Sequence, residues 1–105
     1  MSGLYSMKDL LNLVAQQGAA ELRLEPDRPP MMLLRGKVRV LDGPLVTNDH
    51  INELFRAIAT DEQRRELDLC GGAHFRYATG RSAHFSVRAG THGNSVSLSI
   101  KNLEP

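Results

Sequence analysis

One stretch of this chain restricts its possible folds more than any other. An alternating segment, Glu21–Glu25, leads into Pro29-Pro30, and an apolar run, Met31–Leu34, follows at once. Proline fixes φ and lacks an N–H, so the doublet ends one strand and starts the next. Gly36 then permits a tight reversal into a further segment, Lys37–Leu41. The stretch predicts three consecutive strands joined by short links.

Capping residues and apolar spacing predict three helices. Ser6, Thr47 and Thr60 each stand where an N-cap is expected, and Asp9 and Gln63 follow the first and last of them as capping-box partners. The first predicted helix has the apolar face Met7, Leu10, Leu11 and Val14 and ends at a cap, Gly18. The second has the apolar face Ile51, Leu54, Phe55 and Ile58, and the third is short and runs through about Leu67.

Three alternating segments follow the break at Gly71-Gly72, and they predict three more strands. Gly80 and the segment 90–94 supply hairpin residues between them. The apolar phases are Phe75 and Tyr77, then Phe85, Val87 and Ala89, then Val96, Leu98 and Ile100. The order is therefore α-β-β-β-α-α-β-β-β. Short links favour antiparallel pairing, which predicts an α+β domain: one six-stranded antiparallel sheet with helices on one face.

The polar phase of these strands predicts an uncovered, somewhat basic sheet face. Its members are predicted to be Arg23, Arg39, Arg76, Arg88, His74, His84, Ser95, Ser97 and Ser99. Five of them are candidate partner-binding residues: Arg23, Arg39, Arg76, His84 and Arg88.

The amino-acid composition indicates which class of partner the chain binds and in which cellular compartment it is found. The 105 residues are 41% hydrophobic and 24% charged with a net charge of +1, which argues against a dedicated nucleic-acid binder. Phe75, Tyr77 and Phe85 share the apolar phase, so they are not available as a base-stacking platform. The single cysteine favours a reducing compartment, and neither a secretory signal nor a membrane-spanning run is evident. We expect a cytoplasmic protein with a protein partner and no membrane insertion.

No catalytic, cofactor or metal site is predicted. His50, His74, His84 and His92 lack the ligand spacing of a zinc site, although His74 and His84 are able to meet across a hairpin. Cys70 precedes Gly-Gly and is interpreted as an inert thiol, with a nucleophile as the alternative. Acidic residues near Arg64-Arg65 are interpreted as a solvated helix face, with paired acid–base carboxylates as the alternative; they are Asp61, Glu62, Glu66 and Asp68.

Several of these segments, in this order, resemble the N-terminal domain of PilT-like type IV pilus retraction ATPases and of the related type II secretion ATPases. They are Leu10-Leu11, Gly18–Leu24, Arg28–Met31, Arg35-Gly36, Pro44–Thr47, Glu66–Asp68 and Phe85-x-Val87. The resemblance runs from about Ser6 to Pro105. It implies a PAS-like domain that packs against a RecA-like motor domain in a hexameric ring.

The chain also departs from that family. Ala20, Glu21 and Arg23 replace the usual Ser, Asp and His. His84 and Ser86 flank Phe85 where arginines are common, and Ser99 replaces another arginine. These changes put a role in completing an ATP site in doubt.

The sequence contains no GxxxxGK[ST] phosphate loop, so we expect no ATP hydrolysis. Residues 1–105 are interpreted as a single domain, with 1–5 a flexible start and 102–105 a linker or terminus. We therefore expect the chain to act as a non-catalytic module that docks onto a motor domain or associates with itself. The alternative is a PAS-like small-molecule sensor.

Overall fold

A computed structural model describes residues 5–79 and 83–103 of the chain. Its elements follow the predicted order. They are α1 (Met7–Gln17), β1 (Glu21–Leu24), β2 (Met31–Leu34), β3 (Lys37–Val40), α2 (Asn48–Arg56), α3 (Asp61–Cys70), β4 (Gly72–Thr79), β5 (Ala83–His92) and β6 (Ser95–Asn102). Within these two ranges, every helix is too short or too polar to cross a bilayer.

All six strands form one antiparallel sheet in the order β3-β2-β1-β6-β5-β4. The first three strands and the last three therefore form two halves of the sheet, which meet where β1 pairs with β6. Leu22 lies opposite Ile100 at this junction, and neither is exposed. The α+β prediction with a single antiparallel sheet is confirmed.

The core lies between one face of the sheet and the helices. The buried side chains include Met7, Leu10, Leu11 and Val14 of α1, Ile51, Leu54 and Phe55 of α2, Leu67 of α3, and Phe85, Val87, Leu98 and Ile100 of the sheet. Phe55 and Phe75 pack with ring centroids 6.0 Å apart. The predicted apolar phases of β4, β5 and β6 thus face the core.

Each predicted N-cap residue accepts a main-chain hydrogen bond, but within the described residues the reciprocal half of a capping box forms at Thr60 and not between Ser6 and Asp9. Ser6 and Thr47 accept hydrogen bonds from the main-chain N–H groups of Asp9 and His50, and Thr60 forms a reciprocal capping box with Gln63. The third helix is longer than predicted and runs beyond Leu67 to Cys70. Its last turn carries Asp68 and an exposed Leu69, so no apolar periodicity marks it.

Strand β3 has the opposite phase to the predicted one. Arg35 and Gly36 both have positive φ, 52° and 79°, so they form the kind of two-residue turn that joins tight hairpins. This turn places Val38 opposite Leu33, and Arg39 opposite the buried Met32. Since cross-strand partners share a face, the valines lie on the side away from the helices.

The two ends of the described chain are held by hydrogen bonds. Tyr5, predicted to be part of a flexible start, has its carbonyl 2.9 Å from Nε2 of His50. Asn102, predicted to begin a linker, ends β6 and donates from its side chain to the carbonyl of Ala19. The rest of the predicted flexible start (1–4), the hairpin residue Gly80 and the last two positions lie outside the described residues.

Candidate functional site

The candidate site is the face of the sheet that the helices leave uncovered, which we call the open face. Strand register assigns the side chains to it. One row across β4, β5, β6 and β1 is His74, Arg88, Ser99 and Arg23, and the next row is Arg76, Ser86, Lys101 and Glu21. Four of the five predicted partner-binding residues, Arg23, Arg76, His84 and Arg88, therefore share this face.

Two arginines on the last strands form its accessible basic part. Arg76 on the edge strand β4 and Arg88 on β5 are both exposed, and neither has an ion pair among the described residues. Between them, Nε2 of His74 lies 2.8 Å from Oγ of Ser86. These cations are available to a negatively charged partner.

Arg23 is exposed on the open face but is already paired. Its Nε lies 3.0 Å from Oε2 of Glu21, and Oγ of Ser99 donates to the same oxygen at 2.5 Å. Burial alone would raise the pKa of Glu21. The hydrogen bonds from Ser99 and Arg23, with the charges of Arg23 and Lys101, outweigh burial and lower that pKa below 4.5. Glu21 is therefore ionised at neutral pH and offsets much of the charge of Arg23.

The prediction that Arg39 belongs to the open face is wrong. Arg39 lies opposite Met32, so its side chain starts on the helix side at the edge of the sheet. The physical reason is that the two-residue turn, rather than the alternation of Lys37–Val40, sets the phase of β3.

The two histidines that the sequence left able to meet across the hairpin, His74 and His84, do not lie opposite each other. His74 lies opposite Arg88, whereas His84 lies opposite Ala78 near the far end of the hairpin. Within the described ranges, no group of three or more His, Cys, Asp or Glu side chains is placed to hold a metal ion. Cys70 is exposed at the end of α3.

A shallow groove of about 390 Å³ crosses the open face beside Arg88. Gly90 and Ser97 lie directly opposite each other on its floor, and a Cβ added at Gly90 would meet no atom within 4 Å. Arg23 and Arg88 line its sides. Glu25 also lines the groove and Arg23 is paired with Glu21, so Arg88 is the cation that gives this groove its basic character.

Sequence reasoning missed two properties of this face. The first is the pairing of Glu21 with Arg23, which their i, i+2 spacing on one strand would have revealed. The second is an apolar part formed by Met31, Leu33, Val38 and Val40. Since β2 is apolar in both phases, periodicity carried no signal for this second property.

The three helices, the six-stranded antiparallel sheet and their order match the N-terminal domain of PilT-like motor ATPases, which confirms the resemblance. No protein-family model matches the chain. The type IV pilus retraction ATPase PilT of Pseudomonas aeruginosa is 31% identical to it over 81 residues. That match covers 77% of this chain and 24% of PilT. The chain is thus related to PilT and spans about a quarter of its length.

Solved structures show the same fold. The pilus retraction motor PilT with bound ADP superposes with a TM-score of 0.84 at 18% identity, over 93% of this chain and 29% of that one. The ATPase DotB of Legionella pneumophila gives a TM-score of 0.77 at 12% identity, again over 93% of this chain and 29% of its own. The similarity is confined to the N-terminal region of these ATPases.

Proposed function

We propose that this chain is a non-catalytic docking module that binds a PilT-like motor domain, or a second copy of itself, through the basic part of its open face. The observation that carries the proposal is the pair of exposed arginines, Arg76 and Arg88, on the sheet face opposite the three helices of the described chain. Unpaired cations are rarely needed for the stability of a fold and are available for electrostatic recognition.

The likeness to part of a motor ATPase supports a role beside such a motor. The chain contains no phosphate loop, so we expect it to bind a motor domain without hydrolysing ATP itself. A cytoplasmic location fits its single unpaired cysteine, which is exposed. The sensor alternative is less well supported, because fully buried Phe85, Val87 and Ile100 occupy the space between sheet and helices.

Charge reversal tests the proposal. We expect Arg76→Glu with Arg88→Glu to weaken binding to a PilT-like motor domain by at least tenfold, because two attractive contacts become repulsive. Isothermal titration calorimetry at low and at high salt measures the effect, and the wild-type affinity is expected to fall as salt rises.

The matched control is Arg65→Glu with Arg56→Glu. Both arginines are exposed on helices, away from the open face, and are expected to leave the affinity unchanged. Binding that survives the double reversal of Arg76 and Arg88, or that is lost equally in the control, would show that the open face is not the docking surface.

A further inference from the structure

The outer edge of β3 has no strand partner among the described residues. β3 stands at the end of the sheet and pairs only with β2 among the described strands. All four of its residues are exposed, including Val38 at 68% and Val40 at 54%. Unpaired main-chain groups on an exposed edge can pair with another chain, and proteins usually protect such edges with charge, proline or a bulge.

The register shows which main-chain groups point outward. Lys37 directly follows the two-residue turn, so it exchanges hydrogen bonds with its partner across the hairpin, and bonding then alternates along the strand. The N–H of Leu41 donates to the carbonyl of Pro30 at 2.9 Å, in agreement with that alternation. The N–H and C=O groups of Val38 and Val40 therefore point away from β2.

The opposite edge of the sheet is built differently. The N–H of Thr91 donates to the carbonyl of Gly71, so alternate residues of β5 bond to β4 and the outward groups of β4 include those of His74 and Arg76. At that edge, two of the outward residues, His74 and Arg76, carry large polar side chains, and the other two are Gly72 and Ala78. At the β3 edge the outward residues are exposed valines.

The valines continue an apolar strip across the open face. Val38 lies opposite Leu33, and Val40 lies opposite Met31. A groove of about 100 Å³ runs along this strip between Met31, Leu33 and Val38. An added strand would extend the strip if it placed apolar side chains on the same face.

The other face of the edge is strongly basic. Arg35, Lys37 and Arg39 are exposed and line a concavity of about 660 Å³ whose lining contains no acidic residue. None of the three has an ion pair among the described residues. The side chains of an added strand on this face would therefore be stabilised by negative charge.

A second copy of β3 does not satisfy this charge. Two copies of β3 can pair antiparallel through their outward groups in two registers that match at least three residues. In one register Arg39 lies opposite Arg39 of the other copy, and in the other it lies opposite Lys37. Like charges directly opposite each other destabilise a strand pair. Antiparallel self-pairing is therefore disfavoured, and a partner strand of different sequence fits the edge better.

We propose that the edge of β3 binds an extended segment of another protein in which acidic side chains alternate with apolar ones, adding a seventh strand to the sheet. The main-chain groups of Val38 and Val40 hold the segment, their side chains receive its apolar residues, and Lys37 and Arg39 pair with its acidic ones. This surface is separate from Arg76 and Arg88, and the inference does not depend on the motor-docking proposal.

The test is a titration of the isotope-labelled chain with a short synthetic peptide of alternating Glu and Val, followed by amide chemical shifts. We expect the largest shifts at Val38 and Val40. A matched peptide of alternating Lys and Val is expected to bind at least tenfold more weakly. An oligothymidylate of similar charge serves as a non-protein polyanion and is expected to leave the Val38 and Val40 amides unshifted.

Two variants separate the contributions of main chain and charge. Val38→Pro removes an outward N–H that β2 does not use, so it is expected to abolish binding and leave the circular dichroism spectrum unchanged. Lys37→Glu with Arg39→Glu is expected to reverse the preference, weakening the Glu/Val peptide about tenfold and favouring the Lys/Val peptide. The second variant decides the question if the proline variant does not fold.

Four results would overturn the proposal. They are peptide shifts centred away from β3, full binding by a folded Val38→Pro variant, stronger binding of the oligothymidylate than of the Glu/Val peptide at this edge, and concentration-dependent self-pairing through β3. Retained peptide binding in the Arg76→Glu, Arg88→Glu variant would support the separation of the two surfaces.

Discussion

Glu21 shows how a single carboxylate adjusts the charge of the open face. Among the described residues it is the one buried Asp, Glu, Lys or Arg, and it is held by Ser99 and Arg23 on neighbouring positions of the same face. A buried ion is tolerated only when its hydrogen bonds are satisfied. The carboxylate therefore stabilises the sheet while it removes Arg23 from the set of free cations, leaving Arg76 and Arg88 for recognition.

Replacing Glu21 by Gln tests this role. We expect Glu21→Gln to lower the free energy of unfolding by about 1–2 kcal/mol at neutral pH, since a charge-assisted hydrogen bond from Ser99 becomes a neutral one. The ion pair between Arg23 and Glu21 contributes little to this difference, because the Arg23 side chain is largely exposed to solvent. Urea denaturation of both proteins measures the difference.

The same pair of proteins gives a pH prediction. The pKa of Glu21 is lower in the folded chain than its ordinary 4.5, so its contribution is complete above that pH and is lost as pH falls through the folded value. The difference between wild type and Glu21→Gln is expected to shrink below pH 4.5. Glu66→Gln, at an exposed position on α3, is the control and changes little. A difference that stays constant down to strongly acidic pH would contradict the ionised assignment.

Among the elements, α2 packs on β6, and one side chain of α2, Asn48, also forms hydrogen bonds to the last hairpin. Oδ1 of Asn48 accepts from the N–H of Val96 at 2.8 Å, and Nδ2 donates to the carbonyl of Asn94 at 2.9 Å. β1 ends at Leu24 opposite Leu98, so Val96 extends past the end of its neighbouring strand. The side-chain oxygen of Asn48 thus accepts the hydrogen bond from the N–H of Val96 that a carbonyl of a longer neighbouring strand would otherwise accept.

Asn48→Ala is therefore expected to cost about 1–3 kcal/mol, because it leaves the N–H of a largely buried residue without a partner. For a chain of this size, about 1 kcal/mol corresponds to a fall in Tm of about 4–8 °C. Thermal unfolding followed by circular dichroism measures it. Asn12→Ala, on the exposed side of α1, is the matched control. Equal Tm values for the two variants would show that Asn48 does not anchor the hairpin.

The elements differ in how well the sequence predicted them. Caps such as Thr60 with Gln63 act through neighbouring residues, so they were found in the sequence and are present in the structure. The last turn of α3 lacks apolar periodicity, which explains why its end was predicted too early. The phase of β3 depends on which side of β2 faces the core, and an apolar run such as Met31–Leu34 does not show this. Arg39 was misplaced for that reason.

At the scale of the whole molecule, the sheet joins the two halves of the chain at its centre. β1 and β6 pair over four positions, from Glu21 with Lys101 to Leu24 with Leu98. Asn102 extends the junction by bonding to the main chain of Ala20. α2, from the first half, packs on β6 of the second half. The core is therefore shared, and we expect the halves to unfold as one cooperative unit.

Native-state hydrogen exchange tests that expectation. The amides of Leu22 in β1 and Ile100 in β6 lie in the central pair, so both are expected to exchange only through global unfolding, with the same free energy of about 5–15 kcal/mol. The outward amides of Val38 and Val40 are expected to exchange without measurable protection, because none of the described strands pairs with them. A lower exchange free energy for Leu22 than for Ser99, whose N–H points to β5 rather than to β1, would mean that the first half opens separately. If the first half opens separately, a partner bound along β3 would stabilise only β1–β3. If the sheet unfolds cooperatively, the same partner would also stabilise β6 and the open face around Arg88.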